Sequence, residues 1–366
     1  MKYKLLILGK LPPPYMGPSI AFQILINSGL KNEFNLDYLD VTANENLNTL
    51  GKWSLKKVFT NLDIYRKLGK KLKNNKPDVV LIPISQTGLG FFKDSVFIVI
   101  CKLYGCKVMI QLRGSGFKHW VQNSNPLNKF YVNLILKIPK GVIVLGNNLK
   151  YLFADYFKEN EIYVVPNGGN YNVNDRTYTN NNKVKLIYLA NLQPSKGIED
   201  VIDALVILNK KLPNSFSMTI IGEWRKNETK IKCLDIIEKN NLPVTFYNSE
   251  VSKNKFDYLT SSDIFIFTPR EPEGHPWVIV EAMASGLPII STDQGAIIES
   301  VIDGVNGYIV PVKSPDIIAD KLITLINNYD LRHKMSVSSR NMYLEKFTET
   351  KMVSNYTSAL KSVIEK

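Results

Sequence analysis

Short apolar runs of strand length recur along this chain at 4–8, 35–40, 79–82, 107–111 and 141–145, and again at 185–189, 217–221, 244–247, 263–268, 288–291 and 307–310. Helix-length segments separate them, and strands alternating with helices at this spacing build parallel, doubly wound sheets. The stretch 167–183, NGGNYNVNDRTYTNNNK, breaks the alternation with Asn-rich, turn-prone sequence that carries no apolar period. A chain of 366 residues is also long for a single core. The expectation is an α/β protein of two Rossmann-like domains joined near Gly168.

Composition narrows the class further. The hydrophobic share of 45% is that of an ordinary globular protein. The longest apolar run, around 96–100, is far short of the roughly 20 residues that span a bilayer. The N-terminal MKYKLLILGKLPPP reads as a first buried strand and not as a signal peptide, so the chain is expected in the cytoplasm. Cys101, Cys106 and Cys233 form no C-x-x-C pair and read as reduced, buried fillers. His119, His275 and His333 are too scattered for a ligand set, so no metal site is expected.

Charge is unevenly spread: residues 1–180 hold 24 Lys+Arg against 11 Asp+Glu, whereas 181–366 hold 22 of each. The excess concentrates in 52–76, where Trp53, Leu55, Val58, Phe59, Leu62, Tyr65 and Leu68 recur at helical spacing among basic residues. A basic amphipathic helix of this kind can lie on an anionic membrane surface, or its apolar side can pack on its own domain. No nucleic-acid motif accompanies the charge, and nucleic acid is not expected as a partner.

The densest chemical signal is 270–307, REPEGHPWVIVEAMASGLPIISTDQGAIIESVIDGVNG. The run 263–268 ends at prolines 269 and 272, so a loop begins there, and 278–285 has the make-up of a buried helix stopped by Gly286 and Pro288. Glu273 is therefore expected in the loop and Glu281 in the helix. The carboxyl ends of parallel strands face the ligand crevice, so both carboxylates look into one cleft. The N–H groups of Trp277 and Val278 at the helix start suit a diphosphate, and a nearby carboxylate accepts hydrogen bonds from sugar or ribose hydroxyls.

The segment resembles the retaining nucleotide-sugar glycosyltransferases of family four, which have the GT-B fold. It matches their E-x7-E signature with Glu273 and Glu281, followed by EAMASGLPII and a Gly-rich turn. The resemblance implies that Glu273 lies at the donor sugar and Glu281 holds the ribose, with Gly274, His275, Trp277 and Val278 also on the donor. Val165-Pro166-Asn167-Gly168 matches the strand end before the second domain. YLANLQPSKGIEDVIDAL, 188–205, matches the loop that usually reads G-R-L and then K-G: Lys196 is retained for the diphosphate, and Asn191 stands where the family has arginine. Arg113, Arg225 or Arg270 could supply that charge.

The resemblance extends to LGKLPPPYMGPSIAF, 8–22, where Gly17 matches the first glycine of P-P-x-x-G-G and Pro18 replaces the second. A helix is expected from near Ser19, capped by its hydroxyl. In KVMIQLRGSGFKHW, Arg113 stands where the family often has histidine; it cannot act as a base but can stabilise charge on a leaving phosphate. His119 reads as a helix-surface residue. TDQGAIIE, 292–299, fits G-G-x-x-E with Ala296 for the second glycine and Glu299 on the donor side; 303–307 fits D-G-x-x-G.

The implied organisation is an acceptor-side domain 1–167 completed by a C-terminal helix within 352–366, and a nucleotide-sugar-binding domain 168–351, facing a central cleft. Glu273, Arg113 and Lys196 are the implied catalytic residues. Glu281, Gly17, Asn191, Gly274, His275, Trp277, Val278 and Glu299 are the implied donor contacts. The implied activity is metal-independent hexosyl transfer with retention, from a UDP- or GDP-sugar to a glycan or polyprenyl-linked glycan in cell-surface polysaccharide synthesis. It needs no cofactor, no D-x-D motif is present, and the inner face of the cell membrane is a candidate contact. A nucleotide-sugar 2-epimerase of the same fold and a non-catalytic nucleotide-sugar-binding module are the alternatives. A nicotinamide dehydrogenase is disfavoured because no G-x-G-x-x-G follows the first strand.

Overall fold

The computed structural model of the protein describes residues 2–13, 16–42, 55–171, 173, 183–248 and 255–366, with side chains from 59 onward in the third segment. Lys52 and Trp53, the side chains of Leu55 and Val58, and residues 174–182 of the Asn-rich join lie outside the described residues. Two compact units divide the chain: Met1–Gly169 together with Glu349–Lys366, and Asn170–Thr348.

The first unit holds β1 (Lys4–Gly9), β2 (Asn35–Asp40), β3 (Val79–Ile84), β4 (Lys107–Leu112), β5 (Gly141–Val144) and β6 (Ile162–Val164) in the order β2-β1-β3-β4-β5-β6. The second holds β7 (Val184–Leu189), β8 (Phe216–Ile221), β9 (Val244–Tyr247), β10 (Ile264–Phe267), β11 (Ile289–Thr292) and β12 (Gly307–Val310) in the order β12-β11-β10-β7-β8-β9. Every pairing is parallel. The order turns back between β1 and β3 in one sheet and between β7 and β10 in the other, so the loops that leave these neighbouring strands diverge and open a crevice at their carboxyl ends. β6 was not among the runs read from sequence, because only Ile162 of its three residues is fully buried.

Central strands are apolar on both faces, as helix-covered parallel strands must be. All four residues of β10 are buried, and Val79–Ile82 of β3 are at most 1% exposed. The helix Ile198–Lys211 carries Glu199 and Asp200 in its first turn and Lys210 and Lys211 in its last, which complements the helix dipole. Asn125 caps the helix Pro126–Leu136 by accepting from the Asn128 N–H at 2.8 Å.

Two sequence expectations change here. The helix at the first glycine-proline loop runs Gly17–Asn27 with Met16 as its cap, and Ser19 acts from inside the first turn, accepting from the Met16 N–H at 3.0 Å. In the basic helix Leu55–Asn74 the packed face is Ile64, Leu68 and Leu72; Phe59 and Leu62 point outward, 70% and 54% exposed. Among the described side chains of this helix, the fully buried positions are therefore Ile64, Leu68 and Leu72, and Phe59 and Leu62 of the sequence pattern lie outside that face.

The C-terminal helix Glu349–Glu365 buries Met352, Tyr356, Ala359, Leu360 and Val363, spaced to make one stripe, against β3, β4 and the short helix Leu30–Glu33. Lys107 Nζ donates to the Ile364 carbonyl at 2.5 Å, and Tyr163 and Ser362 share a hydroxyl hydrogen bond of 2.8 Å. The helix therefore completes the first unit's core although it lies last in the chain. Leu360→Ala, at a fully buried position, should lower unfolding stability by about 2–5 kcal/mol in a urea titration; a loss below about 0.5 kcal/mol would mean that the stripe is not packed.

Candidate active site at the strand-order reversal

β10 ends at Phe267 and its loop runs to Pro276, which caps the helix Trp277–Ala284. Beside it, the β7 loop passes through a turn at Pro194–Lys196. Gly197 has φ +79°, and a Cβ there would stand 1.8 Å from the Thr268 carbonyl oxygen. Only glycine permits that approach. The Arg270 N–H donates to the Ser195 carbonyl at 3.0 Å and seals the two loops together. As a result Lys196 Nζ donates to Glu273 Oε1, in a salt bridge between partly buried side chains. Tyr188, fully buried beneath them, gives its hydroxyl to the Lys196 carbonyl at 2.9 Å, and burial together with Glu273 pushes its phenol pKa up.

The Gly-rich turn after β11 supports the same loop from the other side. Gly295, φ +62°, lies so close that a Cβ would stand 1.9 Å from the Glu273 carbonyl oxygen, and the Ala296 N–H donates to the Gly274 carbonyl at 2.8 Å. Thr292 Oγ1 donates to the Pro269 carbonyl at 2.7 Å. His275 is buried: its Nε2 lies 2.6 Å from Ser300 Oγ and its ring packs on Phe347. Its side chain anchors the loop in the unit's core, so a donor contact at this position would fall to the backbone. Glu299 is half-buried on the short helix Ile297–Ser300.

Glu281 sits in the second turn of the helix Trp277–Ala284 at 4% exposure. One carboxylate oxygen accepts from Lys255 Nζ at 2.7 Å; the other, Oε2, is buried with no hydrogen-bond partner among the described residues. The Tyr171 hydroxyl is in the same condition, and burial and the Glu281 charge raise its pKa. A buried carboxylate oxygen without a donor is costly, and a ligand hydroxyl would satisfy it. At the helix start the N–H groups of Trp277 and Val278 have no acceptor within the helix. Sequence reading missed Lys255, which lies in a polar stretch with no periodic or motif signal.

The three arginines considered for position 191 separate cleanly. Arg270 is bound bidentately to Asp200 at 2.7 Å and to Glu199 at 2.7 Å, and these carboxylates raise its pKa further. Arg225, from the β8 loop, donates to Asn191 Oδ1 through Nη2 at 2.9 Å and Nε at 3.3 Å. Backbone bonds from Leu192 N–H to the Glu223 carbonyl, 2.8 Å, and from Arg225 N–H to the Leu192 carbonyl, 3.1 Å, lock the two loops. Arg113 belongs to the first unit, where its guanidinium donates to Asn167 Oδ1 at 2.7 Å and to the Tyr356 hydroxyl at 3.2 Å. Gly17 also lies in the first unit, exposed at the start of its helix. His119 is exposed on the helix Phe117–Gln122. Among the described residues no group of three or more His, Cys, Asp or Glu side chains could hold a metal ion, and all three cysteines are buried and free.

Comparison with known proteins follows the same division. Residues 173–342 match the family described as glycosyl transferases group 1. An uncharacterized glycosyltransferase of Methanocaldococcus jannaschii is 28% identical over 53% of this chain and 52% of its own length. The capsular polysaccharide biosynthesis glycosyltransferase CapM of Staphylococcus aureus is 27% identical over 57% of each chain. The chain thus spans about half the length of the curated relatives it matches. The crystal structure of Anabaena HepE in complex with UDP superposes with a TM-score of 0.73 at 17% identity, covering 98% of this chain and all of the other. The two-Rossmann architecture is that of the GT-B fold, and residues 173–342, within the second unit, are similar to the group 1 glycosyl transferases.

Proposed function

We propose that this protein is a retaining glycosyltransferase that moves a sugar from a UDP- or GDP-sugar to a lipid-linked glycan in cell-surface polysaccharide synthesis. One observation carries the reading: the β7 and β10 loops bring Lys196 onto Glu273 where the strand order reverses, in the loop that leads to the partly unsatisfied carboxylate of Glu281. Glu281 Oε2 accepts from the donor ribose, Glu273 borders the sugar, and Lys196 with the helix-start N–H groups faces the diphosphate. Arg225 is the cation that stands in for the missing arginine at 191, held in place by the Asn191 carbonyl. CapM, named for capsular polysaccharide, and HepE with bound UDP support the substrate class.

In the transfer step the bond from the anomeric carbon to the diphosphate oxygen breaks, and the acceptor hydroxyl oxygen bonds that carbon on the same face. The hydroxyl proton passes to the departing diphosphate oxygen. Lys196 and Arg225 stabilise the charge that develops there, and Glu273 faces the oxocarbenium-like sugar. The acceptor side falls to the first unit, where the helix Leu55–Asn74 exposes Phe59 and Leu62 and the helix Pro126–Leu136 exposes Leu127, Phe130 and Leu134, amid the basic excess of that half. No helix among the described residues is long and apolar enough to cross a membrane, so the proposed contact is with the surface of an anionic bilayer.

Calorimetric titration with UDP-, GDP-, ADP- and dTDP-sugars should reveal one preferred nucleotide. Glu281→Ala, Lys196→Ala and Arg225→Ala should each weaken it by at least about tenfold, or 1.4 kcal/mol. Folded protein that binds none of the panel would overturn the donor site. Binding without transfer or hydrolysis would favour the non-catalytic module, and donor epimerised without acceptor would favour the epimerase. In vesicle sedimentation the chain should bind phosphatidylglycerol over phosphatidylcholine, and Phe59→Ser with Phe130→Ser should weaken binding by about fivefold or more. Equal partition to both lipids would remove the membrane from the proposal.

A further inference from the structure

The first sheet has its own reversal, between β1 and β3, and a cavity of about 300 Å³ lies there, lined among the described residues by the first unit alone. Its floor is apolar, formed by Phe22, Leu25, Val41 and Phe97. Among the described residues its charged lining is unbalanced: Lys10, Lys93 and Arg113 against the carboxylate of Asp94. That carboxylate is already engaged. Asp94 Oδ2 accepts from the Ser85 N–H at 2.8 Å and hydroxyl at 2.6 Å, and Oδ1 pairs with Lys93 Nζ at 3.1 Å. Arg113 is held by Asn167 and Tyr356.

Lys10, the residue that follows β1, is half-buried and makes no side-chain hydrogen bond or ion pair among the described residues. Burial and the neighbouring Lys93 lower its pKa, and Asp94 offsets them only in part. A partly desolvated ammonium beside a second cation, with the nearby carboxylate taken, is an unfavourable arrangement that an anion would relieve. The cations come from three separate segments, after β1, on the helix Gly88–Leu103 and after β4, so they approach from different directions. A tetrahedral phosphate can meet such a spread with several oxygens, whereas a planar carboxylate matches a single guanidinium fork.

We infer that this cavity binds a phosphate ester attached to an apolar group, with Lys10 as the deciding cation. Resting on the transfer reaction proposed above, it holds the acceptor by the phosphate that links its sugar to an apolar carrier. The phosphate lies against Lys10 and Lys93, and the first apolar unit of the carrier covers the Phe22 and Phe97 floor.

The test is calorimetric titration of the whole chain with geranyl phosphate, geraniol, glucose 1-phosphate and inorganic phosphate, using the native protein, Lys10→Gln and Lys10→Arg. Geranyl phosphate should bind at least about tenfold tighter than each of the other three ligands. It should bind Lys10→Arg nearly as well as the native chain, and Lys10→Gln at least about tenfold more weakly. Affinity unchanged in Lys10→Gln would overturn the role of Lys10, and glucose 1-phosphate or inorganic phosphate binding as tightly as geranyl phosphate would overturn the apolar carrier. Should Lys10→Gln fail to fold, the native comparison decides: equal affinity for geraniol and geranyl phosphate overturns the anion site. Nucleotide-sugar titration of the same samples reports on the second unit, so a failed donor reading is seen apart from a failed acceptor cavity.

Discussion

Backbone packed on backbone at the reversal between β7 and β10 sets everything else in the second unit. Gly197 lies under the Thr268 carbonyl and Gly295 under the Glu273 carbonyl, each at a distance that no Cβ survives and each with positive φ. The three loops that follow β7, β10 and β11 are thereby held as one body. The salt bridge of Lys196 and Glu273 is a consequence of that packing. An exposed pair would add little to stability, but a pair held by packed backbone keeps both charges oriented, which in the proposed transfer leaves little reorganisation to do when charge develops.

This explains which parts of the molecule were legible in the sequence. Strand positions came through almost everywhere, because parallel strands covered on both faces must be continuously apolar, as β3 and β10 are. β6 escaped because a three-residue edge strand with one buried side chain leaves almost no apolar signal. Gly197 and Gly295 entered only as parts of the K-G and G-G-x-x-E matches, and it is the structure that shows why each must be glycine. Side-chain pairings across distant segments did not stand out: Lys255 meets Glu281 and Arg225 meets Asn191, and neither lysine nor arginine carries a mark in the sequence that tells a site residue from a solvated one. His275 lies inside a strong motif, yet its side chain serves the core, which the motif alone does not reveal.

The distribution of arginines follows from what each must neutralise. Arg270, in the middle of the motif, answers Glu199 and Asp200 at the start of the helix Ile198–Lys211, a dipole-favoured position for acids. With its donors bound to two carboxylates it holds the helix start in place and adds no net charge to the crevice. Among the described residues Arg225 is bound to a neutral amide carbonyl and, at 4.0 Å, to Glu223, so its charge is less fully cancelled than that of Arg270. Position 191 thus contributes an acceptor that orients a guanidinium delivered by the next loop. In the proposed donor site, the change of residue type moves the cation from one strand's loop to its neighbour's.

The two sheets reverse their order at equivalent places, but the chemistry at the two reversals is opposite in kind. In the second unit the uncompensated charged group among the described residues is a carboxylate oxygen, that of Glu281, and it calls for hydroxyl donors. In the first it is an ammonium, that of Lys10, and it calls for an anion. A sugar hydroxyl and a phosphate are the groups that would satisfy the pair, so the charge excess of residues 1–180 need not be a diffuse surface property. Part of it is directed inward, above an apolar floor that raises the electrostatic value of each ion pair formed there by excluding water.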